Sequence, residues 1–127
     1  MVSDARLKSE VRELTEAEIS AGLEIAKSIG FWRWTDERGD REHSGTTVQK
    51  AISIMESHGL NPFDYAFICY AQWEDEYQTV HQYDEDGNEI PDTETQVLIR
   101  AAGDIYGFKL EELNMFLMRC LVDKLTL

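Results

Sequence analysis

Three segments of this chain repeat one order of polar and apolar positions. A threonine-led polar quartet comes first, then apolar residues three and four apart, then a glycine followed by a large apolar residue. Thr15-Glu16-Ala17-Glu18 opens the first, with Ile19, Leu23, Ala26 and Ile29 on one face and Gly30-Phe31 as its stop. Thr46-Thr47-Val48-Gln49 opens the second, with Val48, Ala51, Ile52 and Met55 on its face and Gly59-Leu60 as its stop. Thr93-Glu94-Thr95-Gln96 opens the third, carrying Val97, Ala101 and Ile105 and stopped by Gly107-Phe108. A threonine hydroxyl and a Glu or Gln side chain satisfy orphan amides at a helix start. Glycine takes the left-handed conformation that ends a helix, and the next apolar residue folds back on the last turn. The grammar predicts three helices.

Further helices follow from the same periodicity. Leu7, Val11 and Leu14 recur among charges over residues 3–14, which reads as a short amphipathic helix or a docking arm. Asn61-Pro62-Phe63-Asp64 carries an N-cap, a proline at the first helical position and an acid in the first turn. Phe63, Ala66, Phe67, Tyr70, Ala71 and Tyr77 then keep helical spacing, and Tyr65, Ile68, Cys69 and Trp73 form a second stripe. Aromatics also favour strands, so a strand over Tyr65–Tyr70 competes, and the caps decide for a central helix. The last helix spans about Leu110 to Leu125. Leu113, Phe116, Leu117, Cys120 and Leu121 lie on one face; Met115, Met118, Val122 and Leu125 lie on another. Thr79–Tyr83 alternates, Asp84-Glu85-Asp86-Gly87 is turn chemistry, and Asn88–Pro91 returns, which predicts a small acidic hairpin at residues 79–91. Residues 35–45 read as a polar loop. The expected fold is mainly α: a single compact domain over 1–127, with five to six short helices and that hairpin.

Charge changes this picture. The formal net charge is −13, and Lys50 and Arg100 enclose 49 positions without a basic residue. Within them lie Glu56, Asp64, Glu74, Asp75, Glu76, Asp84, Glu85, Asp86, Glu89, Asp92 and Glu94, eleven acids, so −11 of the charge is local. Such a surface repels nucleic acid and anionic bilayers, which bind through Lys and Arg. With 43% apolar residues and thirteen aromatics, a core forms without metal or disulfide. Cys69 and Cys120 sit among apolar residues and read as reduced core thiols of a cytoplasmic protein. No signal-like or membrane-spanning apolar run occurs, so no membrane is expected.

The candidate chemistry is sparse. Placing Gly87 at the sixth position of a calcium loop puts Gln82 first and Thr93 twelfth, where a bidentate glutamate is required. His43, His58 and His81 have no ligand spacing, and His58 suits the negative end of a helix. No metal and no cofactor is therefore expected. Phosphate loops and nucleophile elbows are missing, and neighbouring carboxylates such as Glu74 and Glu76 occur on any acidic surface. Gly103–Leu113 resembles a helix-turn-helix, but Glu111-Glu112 would meet the phosphates. Trp32, Trp34 and Trp73 are candidate aromatic anchors.

The sequence thus predicts a small acidic intracellular binding protein, not an enzyme. Its anionic face (Asp64, Glu74, Asp75, Glu76, Asp84, Glu85, Asp86, Glu89, Asp92, Glu94) would dock on the basic surface of a nucleic-acid-handling protein. It would inhibit that partner as a nucleic-acid mimic of the kind mobile elements use. The alternative is an assembly factor or structural adaptor acting through the two-faced C-terminal helix, with Met115, Met118, Val122 and Leu125 as a homodimer face. An uncharacterised enzyme comes third.

Overall fold

The computed structural model describes residues 3–125. Among them are three α-helices, α1 (Glu16–Lys27), α2 (Val48–Ser57) and α3 (Leu110–Lys124). Six strands accompany them: β1 (Gly30–Trp32), β2 (His43–Gly45), β3 (Ile68–Trp73), β4 (Glu76–Val80), β5 (Thr95–Arg100) and β6 (Gly103–Phe108). They form three two-stranded sheets, β1–β2, β3–β6 and β4–β5. This corrects the expected helical domain, because the segments read as helices over 61–77 and 93–107 hold strands and no α-helix.

The chain divides into two compact units, one running up to Ile68 and resuming at Phe108, the other Cys69–Gly107. In the first, the threonine starts open helices, but of the two glycine stops only Gly59 is left-handed (φ 74°), while Gly30 opens β1. Thr15 Oγ1 accepts from the Glu18 amide at 3.2 Å while Glu18 Oε1 accepts from the Thr15 amide at 2.8 Å. The second cap falls one residue later than the quartet placed it: Thr47, not Thr46, accepts from the Lys50 amide, and Thr46 instead meets the Ser28 hydroxyl at 2.8 Å. His58 ends that helix, its Nε2 2.8 Å from Glu24 Oε1. The core gathers Ala21 and Ile25 of α1, Val48, Ala51, Ile54 and Met55 of α2, Phe67, Ile68, and Leu113 and Leu117 of α3. Gly22 lets α1 and α3 approach so closely that an added methyl would overlap the Cys120 thiol. No disulfide joins Cys69 to Cys120.

Local signals elsewhere were sound but short in reach. Asn61 does cap a turn, accepting from the Phe63 amide at 3.2 Å, yet Pro62–Asp64 is one 3-10 turn and Tyr65 is already extended. The N-terminal segment likewise holds only a 3-10 turn, Ala5–Leu7, capped by Asp4. Thr93 starts no helix: its hydroxyl donates to the Ile90 carbonyl at 2.6 Å and accepts from the Gln82 amide at 3.1 Å. Threonine stabilises turns through the same hydroxyl that caps helices. The β-branched run that follows then favours a strand. The turn near residue 84 forms as expected, with a Tyr83–Glu89 bridge, but it closes a longer ladder of β4 against β5. The polar loop after Trp34 yields its last three residues to β2.

Candidate functional site

No residue from Cys69 to Gly107 is buried. A four-strand unit without a core leaves large apolar side chains in water: Tyr70, Tyr77, Val80, Val97, Leu98, Ile99, Ile105 and Tyr106 are all exposed. The ladder explains why neither face can be hidden alone. Tyr77 stands opposite Leu98, and Gln78 opposite Val97, so adjacent apolar residues of β5 point to opposite faces. Each strand here has one hydrogen-bonding neighbour, so each keeps an open edge. Open, apolar edges are templates for another extended chain.

The unit is nevertheless held in shape. Trp73 Nε1 donates to the Ala101 carbonyl at 2.9 Å, its ring closes over Gly103, and Arg100 lies over it at 4.9 Å. Tyr70 and Tyr106 pack with centroids 4.6 Å apart, and the Tyr70 hydroxyl donates to Asp104 at 2.9 Å. Asp75 accepts from the Ala102 amide at 2.6 Å.

The second feature is the surface of α3. Leu113, Leu117 and Cys120 face the core, whereas Met115, Met118, Leu121, Val122 and Leu125 are exposed. The spacing 115, 118, 122, 125 is the alternation of three and four that a coiled-coil seam uses. Burial pushes the Cys120 thiol up to about 11, which keeps it a protonated packing group.

The third is the segment before α1, which the sequence offered as a short helix or docking arm and not as chemistry. The turn at Ala5–Leu7 brings Lys8 back so that its Nζ donates to Ser3 Oγ at 3.2 Å. Asp4 and Arg6 brace that turn with an ion pair at 2.6 Å. A serine hydroxyl on an amine is a nucleophile beside a base. The spacing of five residues means nothing until the turn forms. Arg12 then ties the segment down, its two guanidinium nitrogens 2.8 and 2.7 Å from the carboxylate of Glu18, which also accepts from the Tyr65 hydroxyl at 2.6 Å. Arg12 first, with help from Tyr65 and the Thr15 amide, holds the Glu18 carboxyl well below the usual range. Burial and the Glu18 carboxylate push Tyr65 up to about 12.

The residues singled out in the sequence are dispersed. Glu74, Asp75 and Glu76 lie at one end of the β4–β5 ladder and Asp84, Glu85, Asp86, Glu89, Asp92 and Glu94 at the other, five residues of strand apart. That is about 17 Å of extended chain. Asp84 Oδ1 is occupied by the amides of Asp86 and Asn88. Asp64 belongs to the other unit, in the turn after Asn61. Trp32 and Trp34 meet edge to face at 4.7 Å, with His43 stacked on Trp32 and Arg38 3.6 Å over Trp34. Beside them a cleft of about 480 Å³ runs from Ile29 and Trp32 to Leu113 and Leu117, apolar but for Asn114 and the Ser44–Thr46 segment. It gathers no titratable groups, as an enzyme pocket would.

Comparison with known proteins gives these features a context. A family described as peptidase S74, chaperone of endosialidase, matches residues 3–60. The side tail fibre protein pb1 of Escherichia phage T5 is 51% identical over 123 residues, covering 92% of this chain and 8% of that protein. A solved structure of the carboxy-terminal domain of the bacteriophage T5 L-shaped tail fibre with its intramolecular chaperone domain superposes with a TM-score of 0.80. It is 44% identical and covers 98% of this chain and 29% of that one. A structure described as a novel intramolecular chaperone gives a TM-score of 0.63 at 25% identity, covering 96% of this chain and 97% of the other. This chain spans under a tenth of the T5 fibre protein. These likenesses overturn the expectation of a nucleic-acid mimic that inhibits a basic, nucleic-acid-handling partner. No helix among the described residues is long and apolar enough to cross a membrane.

Proposed function

We propose that this chain is an intramolecular chaperone domain of the phage tail-fibre type. It self-associates through α3, holds the fibre chains to which it is joined, and is separated from them by a cut on the amino side of Ser3. The observation that carries the reading is the Cys69–Gly107 unit, four strands with open edges and no buried residue, in a chain that resembles chaperone domains along nearly its whole length. Fibre chains rich in long-range strand pairing fold slowly and expose edges while they do so. An open edge flanked by Tyr77, Leu98 and Ile99 offers such a strand backbone partners and apolar cover at once. A two-stranded sheet without a core is marginal alone, so partner and unit stabilise each other.

The cut rests on a separate observation. The match to a family named for a peptidase begins at Ser3, the residue whose hydroxyl Lys8 touches. Lys8 takes the Ser3 proton, and Ser3 Oγ attacks the carbonyl of the preceding residue. The peptide C–N bond breaks as the nitrogen of Ser3 is protonated, leaving an ester. Water hydrolyses that ester, freeing an upstream carboxylate and a chain that begins at Ser3.

Both parts are testable in one precursor, a fibre segment fused ahead of this chain. The wild type should yield a heat-resistant fibre oligomer and a released fragment whose mass starts at Ser3. Ser3→Ala and Lys8→Ala should give the oligomer uncut. Tyr77→Asp with Leu98→Asp should give little oligomer while the helical unit keeps its circular dichroism. Normal assembly in that double variant would overturn the chaperone reading. Cleavage of Ser3→Ala at the same bond would overturn the serine mechanism.

A further inference from the structure

The loop between β4 and β5 holds a cluster that neither the fold nor the chaperone reading uses. His81 follows β4, Glu94 precedes β5, and Glu89 is bridged to Tyr83 between them. Each offers one ligand atom, and the three atoms lie within 4.8 Å of one another. His81 Nδ1 is 2.7 Å from Glu89 Oε1 and 4.0 Å from Glu94 Oε1. A second observation concerns that nitrogen: it is shut off from solvent and makes no hydrogen bond. It lies 2.7 Å from a Glu89 carboxylate oxygen without making a hydrogen bond to it. A cation shared by the ring nitrogen and the carboxylate oxygens would satisfy all three donors at once.

We propose that His81, Glu89 and Glu94 form a binding site for a divalent transition-metal cation, zinc foremost. Imidazole selects such ions over magnesium and calcium, and two carboxylates neutralise the charge. Zinc holds nitrogen and oxygen donors at roughly 2.0–2.2 Å, which sets neighbouring donors about 3–3.5 Å apart. The observed separations straddle that range, and Glu89 and Glu94, both half exposed, adjust by rotating their side chains. Asp84, Glu85, Asp86 and Asp92 raise the local cation concentration without a Lys or Arg to oppose it. The ion would join the end of β4 to the start of β5 and stiffen a unit that has no core. Histidine and carboxylates at positions 81, 89 and 94 escape any linear ligand motif, because the turn alone brings them together.

Zinc chloride titrated into the chelator-treated full chain against a chromophoric chelator should show one equivalent bound. His81→Ala, and Glu89→Gln with Glu94→Gln, should weaken that binding by roughly tenfold or more. Cys69→Ser and His58→Gln should leave it unchanged. Zinc should also slow amide exchange at Ile90, which donates to the Gln82 carbonyl beside the site. No zinc bound by the wild type, full affinity in His81→Ala, or displacement of zinc by an equal concentration of calcium would each overturn the proposal. All three substitutions lie in an exposed loop, so circular dichroism should remain that of the wild type.

Discussion

Glu18 is the buried charged side chain of the described core, 3% exposed, and it accepts from three directions at once. Its carboxylate closes the capping box of α1, receives Arg12 from the preceding segment, and receives Tyr65 from the chain beyond Pro62. Replacing it with Gln would leave a buried amide facing the donors of Arg12 and Tyr65, a loss of about 2–3 kcal/mol. The Arg12 share is discounted because that side chain is 65% exposed. The pH dependence has a definite sign. The folded carboxyl titrates below an ordinary glutamate, near 4.3, so its contribution is complete above that value. It is lost as pH falls from there through the folded value. Urea midpoints of wild type and Glu18→Gln should therefore differ most from pH 5 to 7 and converge below about pH 4. A constant gap down to strong acid would contradict the network described.

Elements were legible where one packed face decides the structure. The box at Thr15, the quartet opening at Thr46 (its cap one residue on, at Thr47) and the two-sided pattern from Leu110 to Leu125 all gave helices, because each has a stripe that buries in a common core. The reading failed from Cys69 to Gly107 for the converse reason. With no core there, no face is selected, so Val97-Leu98-Ile99 shows neither alternation nor a helical stripe that packing would enforce. Ala101 and Ile105 fell by chance at helical spacing from Val97. The Trp73 ring covers Gly103 and its nitrogen donates to Ala101, contacts that the spacing along the chain does not announce. The α1–α3 crossing offers an element-level test. Gly22→Ala should cost about 1–3 kcal/mol by driving the helices apart. Gly22→Ala with Cys120→Ala should recover part of that loss, since the overlapping sulfur is gone, and a double-mutant cycle in urea measures the coupling. Strict additivity would mean the close approach does not set the packing.

At the scale of the whole molecule, the apolar stripe on α3 and the acidic window make opposite demands on solvent. Association driven by Met115, Met118, Val122 and Leu125 buries apolar side chains, which salt does not weaken. Association through carboxylates would weaken steeply as screening increases. The arrangement of charge favours the first. Acids are grouped at the two ends of the β4–β5 ladder, with no Lys or Arg between Lys50 and Arg100, and like charges at a strand edge oppose edge-to-edge pairing of copies. The stripe on α3 carries none of that charge. Sedimentation at increasing salt should then show a persistent or tightening oligomer. Met118→Asp, which sets a charge at the middle of the stripe, should reduce it to monomer, with helical content unchanged because Met118 is 60% exposed. Glu74→Lys with Glu76→Lys should leave the oligomer intact but let the hairpin units aggregate at low salt. If the charge reversal dissociated the oligomer and Met118→Asp did not, the seam on α3 would have to be given up.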